Sequence, residues 1–478
     1  MRQWREQNPL VVERGEGCHL IDTEGQRFID GVSSLWCNVH GHCVPELDDA
    51  LRAQLGKIAH TTLLGLASPP SIELAAMLCD RAPGGKKSSC PLPADETHRR
   101  LNKVFYSDAG ATAVEVAFKM AVGYWFHRGK PGKNKFIGLA GAYHGDTAGA
   151  MSVGYSELFH KPFVSMVFDV TSFPCPDSAR PPKHIAKYMT SRGFELCSSC
   201  CGTGKCGLNV WPNECPSFSG MLKDWCLGEL EKMLQTQADE TAAIVIEPVM
   251  QGAAGMVCQP AGFVAGVSAL AKKYGVLLIA DEVAVGFGRT GPLFACERDH
   301  VTPDILCLAK GISAGYLPLA ATLCNDEIDD AFTGELSEKK TLYHGHTYTG
   351  NPLACAVGVA SLERFDRLNL LDHIAGSERL IRSRLDVLRD CPQVMEVRQR
   401  GVMVGIELCQ NRFAAGGAEP FDFSKRTGYA LCDAMRERGL IVRPLGDVLV
   451  LMPAPAMPHD TLGDMLDIVT DTILHSNI

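Results

Sequence analysis

No run of eighteen consecutive apolar residues occurs anywhere in the chain, so no segment reads as a transmembrane helix. Positive charge is scarce too. The 46 Lys and Arg stand against 55 Asp and Glu, a formal net charge of -9, which removes the basic field that draws proteins to phosphate backbones and anionic lipid. The opening residues, MRQWREQNPLVVERGEG, carry charges with no apolar stretch behind them and do not read as a secretion signal. Neither nucleic acid nor membrane is an expected partner, and a cytoplasmic location is expected. Aromatic residues make up only 7%, yet 46% hydrophobic content over 478 residues suffices for a large core divided into two or three domains. The 20 cysteines, in a chain without a secretion signal, do not imply a disulfide framework. Most of them, such as Cys79, Cys258, Cys307 and Cys355, sit in apolar runs as small buried hydrophobes.

What the sequence does hold is an alternation. From about residue 101 to 323, short β-branched or apolar runs bounded by Gly, Asp or Pro take turns with helix-length amphipathic segments. Strands are expected at 103–106, 135–140, 243–247, 276–280 and 305–308, and helices at 113–126, 226–237 and 263–274. That pattern predicts an α/β fold with a mostly parallel sheet wrapped by helices and a ligand at the carboxyl ends of its strands. Past about Asn351, short strands at 394–396, 401–407, 439–443 and 448–452 between long helical patterns predict a smaller α+β domain. A hairpin over 17–30, turning at Glu24-Gly25, is expected to dock on it. The expected division is 1–47 as the N-terminal part of the small domain, 48–345 as the large domain, and 346–478 as the rest of the small one. Polar stretches at 84–99 and 173–219 read as surface insertions.

Chemistry concentrates in a few motifs. In IADEVAVGFGRTG, residues 279–291, an apolar strand ends in Asp281 and Glu282. An acid there is either a solvated strand-end residue or one that faces the crevice and meets a cation. A second apolar strand, DILCLAKG at 304–311, ends in Lys310, either a snorkelling lysine or a desolvated amine with lowered pKa, nucleophilic toward a carbonyl. In SDAGATAVEVAFKMA, residues 107–121, small residues open a long helix whose free N–H groups and dipole suit a phosphate, though ordinary helices also begin this way. GAYHGDT, residues 141–147, sets Tyr143 either to stack on a planar ring or to cap a turn. Glu247 reads equally as a group near a ligand and as a structural strand-end acid.

These motifs, with IEPVMQGAAG and HGHTYTGNPLA, resemble the class III, ω-type aminotransferases of PLP fold type I over essentially the whole chain from Asn8 onward. The resemblance implies pyridoxal 5'-phosphate as cofactor, carried by Lys310, with Asp281 pairing its ring nitrogen so that the ring can draw electrons from the substrate carbon. It implies Gly110 and Ala111 at the phosphate, Tyr143 and Val283 on the two ring faces, and His346 and Thr347 at the cofactor. Thr347 would reach in from the neighbouring subunit of a homodimer. Within the class, DGVSSLWCNVHGH at 30–42, KIAHTTLLG at 57–65 and RPLGDVLVLMPA at 443–454 resemble the branch that serves biotin synthesis. That likeness implies a small-molecule amino donor, 8-amino-7-oxononanoate as the keto-acid acceptor, and Leu35, Trp36, Tyr143, Gly345 and Arg443 around the substrate. Arg443 is expected as a buried, forked guanidinium on the acceptor's carboxylate. Relatives that take S-adenosylmethionine as donor carry two adjacent tryptophans where this chain has Leu35-Trp36, so the likeness implies lysine ahead of S-adenosylmethionine. Members of the family also usually begin with an aromatic-containing segment ahead of the point where this chain starts, so a trimmed or misassigned start is expected.

Other readings remain open: an ω-aminotransferase using ornithine, 4-aminobutyrate or a diamine, or a catalytically silent scaffold, against which Asp281 and Lys310 weigh. The run CSSCCGTGKCGLNVWPNEC, residues 197–215, offers Cys197, Cys200, Cys206 and Cys215 to zinc or an iron–sulfur cluster as a local staple, or else leaves them as free thiols.

Overall fold

The computed structural model describes residues 9–181, 211–412 and 419–476. A sheet of seven strands runs through it: β1 (Lys103–Ser107), β2 (Lys135–Leu139), β3 (Thr171–Phe173), β4 (Thr241–Ile246), β5 (Leu277–Asp281), β6 (Ile305–Leu308) and β7 (Ala320–Cys324). Their order across the sheet is β1-β7-β6-β5-β4-β2-β3. All neighbouring pairs are parallel except those of β7, which runs antiparallel between β1 and β6. Every residue of β4, β5, β6 and β7 is buried, as strands covered on both faces require. The expected mostly parallel α/β sheet is therefore present.

Three of the helices that pack against this sheet are α1 (Gly110–His127), α2 (Pro216–Gln237) and α3 (Phe263–Tyr274). Gly262 and Gly275 bound α3, both left-handed at φ 78° and 61°, a conformation that costs glycine no clash. α2 and α3 press together at Gly266, where an added Cβ would lie 2.4 Å from Leu227 Cδ1.

The two chain ends meet. Val12–Glu16, His19–Asp22 and Arg27–Asp30 form an antiparallel set turned at Gly25 (φ 81°), and Leu440–Ile441 joins it in parallel beside Ile29 and Asp30. Val394–Arg400, Met403–Leu408, Val448–Leu451 and Arg443–Leu445 make a second, antiparallel sheet. Arg289, fully buried, bolts these regions to the large sheet: its guanidinium donates to the Asn38 carbonyl at 2.7 Å, the Pro453 carbonyl at 2.7 Å and Ser33 Oγ at 3.1 Å.

Both expected insertions are more integrated than polar composition suggests. Within 84–99, Gly84 bridges to Pro91, and the hydroxyl of Ser88 and the N–H of Ser89 donate to Glu297 at 2.5 and 2.9 Å. At the start of 173–219, Phe173 ends β3 at the sheet edge; further on, Trp211 and Cys215 are buried, and α2 starts at Pro216, well ahead of the expected 226. Cys197, Cys200, Cys201 and Cys206 lie outside the described residues. Cys215 packs in the hydrophobic core at the start of α2, and among the described residues no cluster of three or more His, Cys, Asp or Glu side chains is arranged for a metal. Among them, too, no helix is long and apolar enough to cross a membrane.

Candidate active site

β5 and β6 lie side by side in parallel, with Asp281 opposite Cys307, so whatever comes after each strand emerges at the same edge of the sheet. Asp281 is the last residue of β5, and Lys310 lies two residues beyond β6. Both line a cavity of about 680 Å3 at that edge, together with Trp36, Asp108, Gly110, Ala111, Tyr143, His144, Glu247 and Val283. The crevice thus sits where strand topology puts it, at the carboxyl ends of the parallel strands.

Lys310 adopts a left-handed backbone, φ 45°, a conformation that costs a non-glycine residue on the order of 1 kcal/mol and is retained only where the surroundings impose it. Burial lowers the pKa of its amine, a shift that the charges of Asp281 and Glu247 oppose but do not cancel. The result is an amine more readily neutral than a surface lysine. Its Nζ lies 5.7 Å from the centre of the Trp36 ring. Trp36 is set there by a strained turn: Ser33, Ser34 and Trp36 all have positive φ (51°, 62° and 64°). The same twist throws Leu35 outward, 55% exposed and outside the cavity wall.

Asp281 is held from two sides. Its Oδ1 accepts the Val283 N–H at 2.9 Å, and its Oδ2 accepts from His144 Nδ1 at 2.7 Å. Burial of the imidazole would lower its pKa, but the hydrogen bond and charge of Asp281, with the charge of Glu247, outweigh it and raise the pKa. The other ring nitrogen, Nε2, is buried with no hydrogen-bond partner. Glu247 accepts the Tyr143 N–H and the Gly252 N–H, each at 3.0 Å, and burial pushes its carboxyl up to about 7. It thereby fixes the loop that carries both Tyr143 and His144. Tyr143 is half-buried, and its hydroxyl donates to Asp146 at 2.9 Å.

The start of α1 forms the opposite wall. By position, the first-turn N–H groups at Gly110 and Ala111 have no acceptor within the helix. Close packing preserves access to them: an added Cβ at Gly110 would lie 2.6 Å from Val283 Cγ1, and one at Gly145 would lie 2.4 Å from the Ala111 Cβ. Glu115 ties the Gly145–Ala150 stretch to α1, accepting from Thr147 Oγ1 at 2.6 Å and from the Gly149 N–H at 2.8 Å.

Gly110, Ala111, Tyr143, Asp281, Val283, Lys310 and Trp36 therefore converge on one cavity. Gly345, His346, Thr347 and Arg443 do not line it. Gly345 and Thr347 are exposed, and His346 has a buried Nε2 with no hydrogen-bond partner. Arg443 opens an edge strand with its side chain exposed in this chain, and among the described residues no further strand pairs beyond Arg443–Leu445. Sequence reasoning passed over His144. It sits inside a quoted motif, yet nothing in its neighbours tells that it would reach the carboxylate at the tip of another strand.

The residues present fit pyridoxal phosphate. An amine and a carboxylate stand at adjacent strand tips, a glycine-bounded helix start offers free N–H groups to a phosphate, and an aromatic and a β-branched side chain flank the space. The family description Aminotransferase class-III matches residues 1–473. An adenosylmethionine-8-amino-7-oxononanoate aminotransferase of Geobacter sulfurreducens is 43% identical over 467 residues, covering 98% of this chain and 92% of that one. The crystal structure of the protein of that name from Methanocaldococcus jannaschii superposes with a TM-score of 0.84 at 38% identity, covering 100% of this chain and 95% of that one. An amine transaminase from an uncultivated Pseudomonas species, solved in its PLP-bound form, gives 0.83 at 31% identity over 98% and 96%. Site geometry, family match and relatives agree, and the chain belongs to the class III aminotransferases, enzymes that depend on pyridoxal phosphate.

Proposed function

We propose that this aminotransferase moves an amino group onto 8-amino-7-oxononanoate, giving the 7,8-diamino acid of biotin synthesis, and that it works as a homodimer. The observation that carries the transfer chemistry is the placement of Lys310 and Asp281 at neighbouring strand tips within one cavity. Bound pyridoxal phosphate supplies an electron sink for the bonds at the substrate carbon that bears nitrogen. Asp281 holds the ring nitrogen protonated, and the His144 N–H fixes that carboxylate in place. Lys310, its basicity lowered by burial, takes and returns the proton at the substrate carbon. Trp36 and Tyr143 narrow the approach and exclude water.

The names borne by the relatives support the acceptor. Arg443 supports it as well: it has no ion-pair partner among the described residues and is free to meet the acceptor's carboxylate. Two features support the homodimer. Thr347 is exposed outside this chain's cavity, where a residue completing a neighbour's phosphate site would stand, and Leu64, Leu66 and Tyr348 are exposed at 88%, 61% and 61%. On the donor, the single indole at Leu35-Trp36 favours lysine, whereas the relatives are named for adenosylmethionine. A second reading, an ω-aminotransferase for ornithine, 4-aminobutyrate or a diamine, draws on the similarity to an amine transaminase.

The deciding assay supplies lysine and S-adenosylmethionine separately with 8-amino-7-oxononanoate and measures the diamino acid formed. Product from either donor, absent in Lys310→Ala, is the expected result. No product from either, with turnover of ornithine or 4-aminobutyrate, would give the second reading.

A further inference from the structure

Beside the main cavity lies a second chamber of about 310 Å3, and Tyr143 and Ala253 belong to the walls of both. Its remaining wall includes Tyr155, Phe159, Cys175, Asp177 and Gln251. The transfer chemistry at Lys310 makes no use of it. Its composition is selective: among the described residues the wall has three aromatic rings, one carboxylate, and no lysine, arginine or histidine.

Asp177 is presented to this space by its own local structure. Its N–H donates to the Cys175 carbonyl at 2.9 Å, and its Oδ1 accepts the Ala179 N–H at 3.0 Å, a turn that holds the carboxylate in one orientation. Its side chain is only 18% exposed. It pairs with Arg180 at 2.9 Å, which is itself 53% exposed and shared with Glu407, and its charge also reaches the buried guanidinium of Arg398, which Glu396 and Glu407 already engage. The exposed Arg180 partner is screened by solvent, and Asp177 itself forms part of the chamber wall. Tyr155 and Phe159 come from the segment just after Gly154, and both remain partly open to solvent, so the chamber has an approach of its own. Cys175 is engaged elsewhere, donating to Gln251 Oε1 at 2.6 Å, and Gln251 in turn donates to the Ala140 carbonyl at 3.1 Å.

Electron-rich ring faces and a fixed carboxylate attract a cation and repel an anion. We propose that this side chamber receives the second cationic centre of the amino donor, the one remote from the amine being transferred, with Asp177 as its counter-charge and Tyr143, Tyr155 and Phe159 as its walls. The inference rests on the aminotransferase reading of the main cavity. It assigns the two substrates to different directions: the acceptor's carboxylate is repelled here and must extend elsewhere, while a donor bearing either a second ammonium or a sulfonium is held. Asp177 is then a specificity residue for the donor and takes no part in the chemistry at Lys310.

Calorimetry tests this on the full-length, cofactor-loaded Lys310→Ala protein, which binds amines without turning them over. The probes are pentane-1,5-diamine against pentan-1-amine, and S-adenosylmethionine against S-adenosylhomocysteine, which lacks the sulfonium charge. The expected result is at least about tenfold tighter binding of the charged member of one pair, the size of a charge-assisted contact. The preferred pair identifies ammonium or sulfonium as the cation. Adding Asp177→Asn should erase the preference while leaving pentan-1-amine binding unchanged, and Tyr155→Leu, which keeps the Asp177–Arg180 pair, should reduce it partly. Equal affinities within both pairs, a preference that survives Asp177→Asn, or equal weakening of charged and uncharged probes would each overturn the proposal. A preference that depends on Asp177 in a protein that makes no diamino acid would leave the chamber's role standing and refute the acceptor reading instead.

Discussion

Replacing His144 by phenylalanine keeps a ring in the same space and deletes one N–H. In the native protein that N–H meets Asp281 Oδ2 at 2.7 Å with side-chain exposures of 0% and 4%, so solvent cannot take its place. Removing one partner from a buried ion pair typically costs 3–5 kcal/mol, because the remaining charge is left uncompensated. Asp281 keeps the Val283 N–H at 2.9 Å, which argues for the lower end, about 3 kcal/mol. A carboxylate so abandoned responds by holding a proton, and about 3 kcal/mol corresponds to roughly 2 pKa units. The sign of the pH dependence is set by the raised pKa of His144. Its stabilisation is fully present below the value of a free imidazole, near 6.5, and is lost as pH rises through the higher value of the folded protein. Urea unfolding of wild type and His144→Phe, both without cofactor, should therefore differ most at pH 6 and converge in alkaline solution. Pyridoxal phosphate titrated by absorbance should bind the variant more weakly, since Asp281 no longer presents a fixed charge to the ring nitrogen. Adding Asp281→Asn to His144→Phe should recover part of the lost stability, because the two groups act as a unit. A stability difference below about 1 kcal/mol at pH 6, or one that does not shrink as pH rises, would refute the reasoning from a compensated buried pair.

Arg443→Ala is expected to raise KM for the keto-acid acceptor by about tenfold or more with kcat little changed, the loss of one charge-assisted contact, and an unaltered acceptor dependence would remove that assignment. Glu282 is buried with no ion-pair partner among the described residues, accepts the Cys296 N–H at 2.8 Å, and has its carboxyl pushed up to about 7 by burial. Between the free carboxyl's 4.5 and that value the folded protein holds more protons than the unfolded chain, so stability falls as pH rises through this window. Glu282→Gln should flatten the decline in thermal midpoint between pH 5 and pH 7, and an unchanged slope would locate the pH sensitivity elsewhere.

The large sheet is legible in the sequence because its strands are apolar runs bounded by breakers: the strand at 305–308 matches its expected bounds to the residue, as does the helix at 263–274 between its two glycines. β7, with sequence AATLC, escapes notice as a strand because small residues carry no β signal, and its place between β1 and β6 is set by tertiary pairing. The start of α2 reads late because PSFSGMLKDW mixes turn formers with apolar residues, and only packing against the sheet selects the helix. In the site, Lys310 and Asp281 stand out because each is a charge at the end of a buried run. His144 and Glu247 do not, since their significance lies in what they reach across the fold. Exposure misleads in both directions: Leu35 and Arg443 face solvent, while Cys215, in a polar stretch, is buried.

The turn bearing Trp36 rests on residues made much later, Ser33 and its partner Met452 being 419 residues apart. Ser33 Oγ donates to the Met452 carbonyl at 2.7 Å, Met452 donates its N–H to Gly31 at 2.8 Å, Arg289 reaches Pro453, and Leu440–Ile441 must pair beside Ile29. During synthesis, then, residues 31–38 leave the ribosome well before the segments at 440–453 that they lie against. The indole beside the reactive amine therefore settles after the central sheet, and a nascent chain with that sheet already assembled would still hold an uncovered, water-filled crevice.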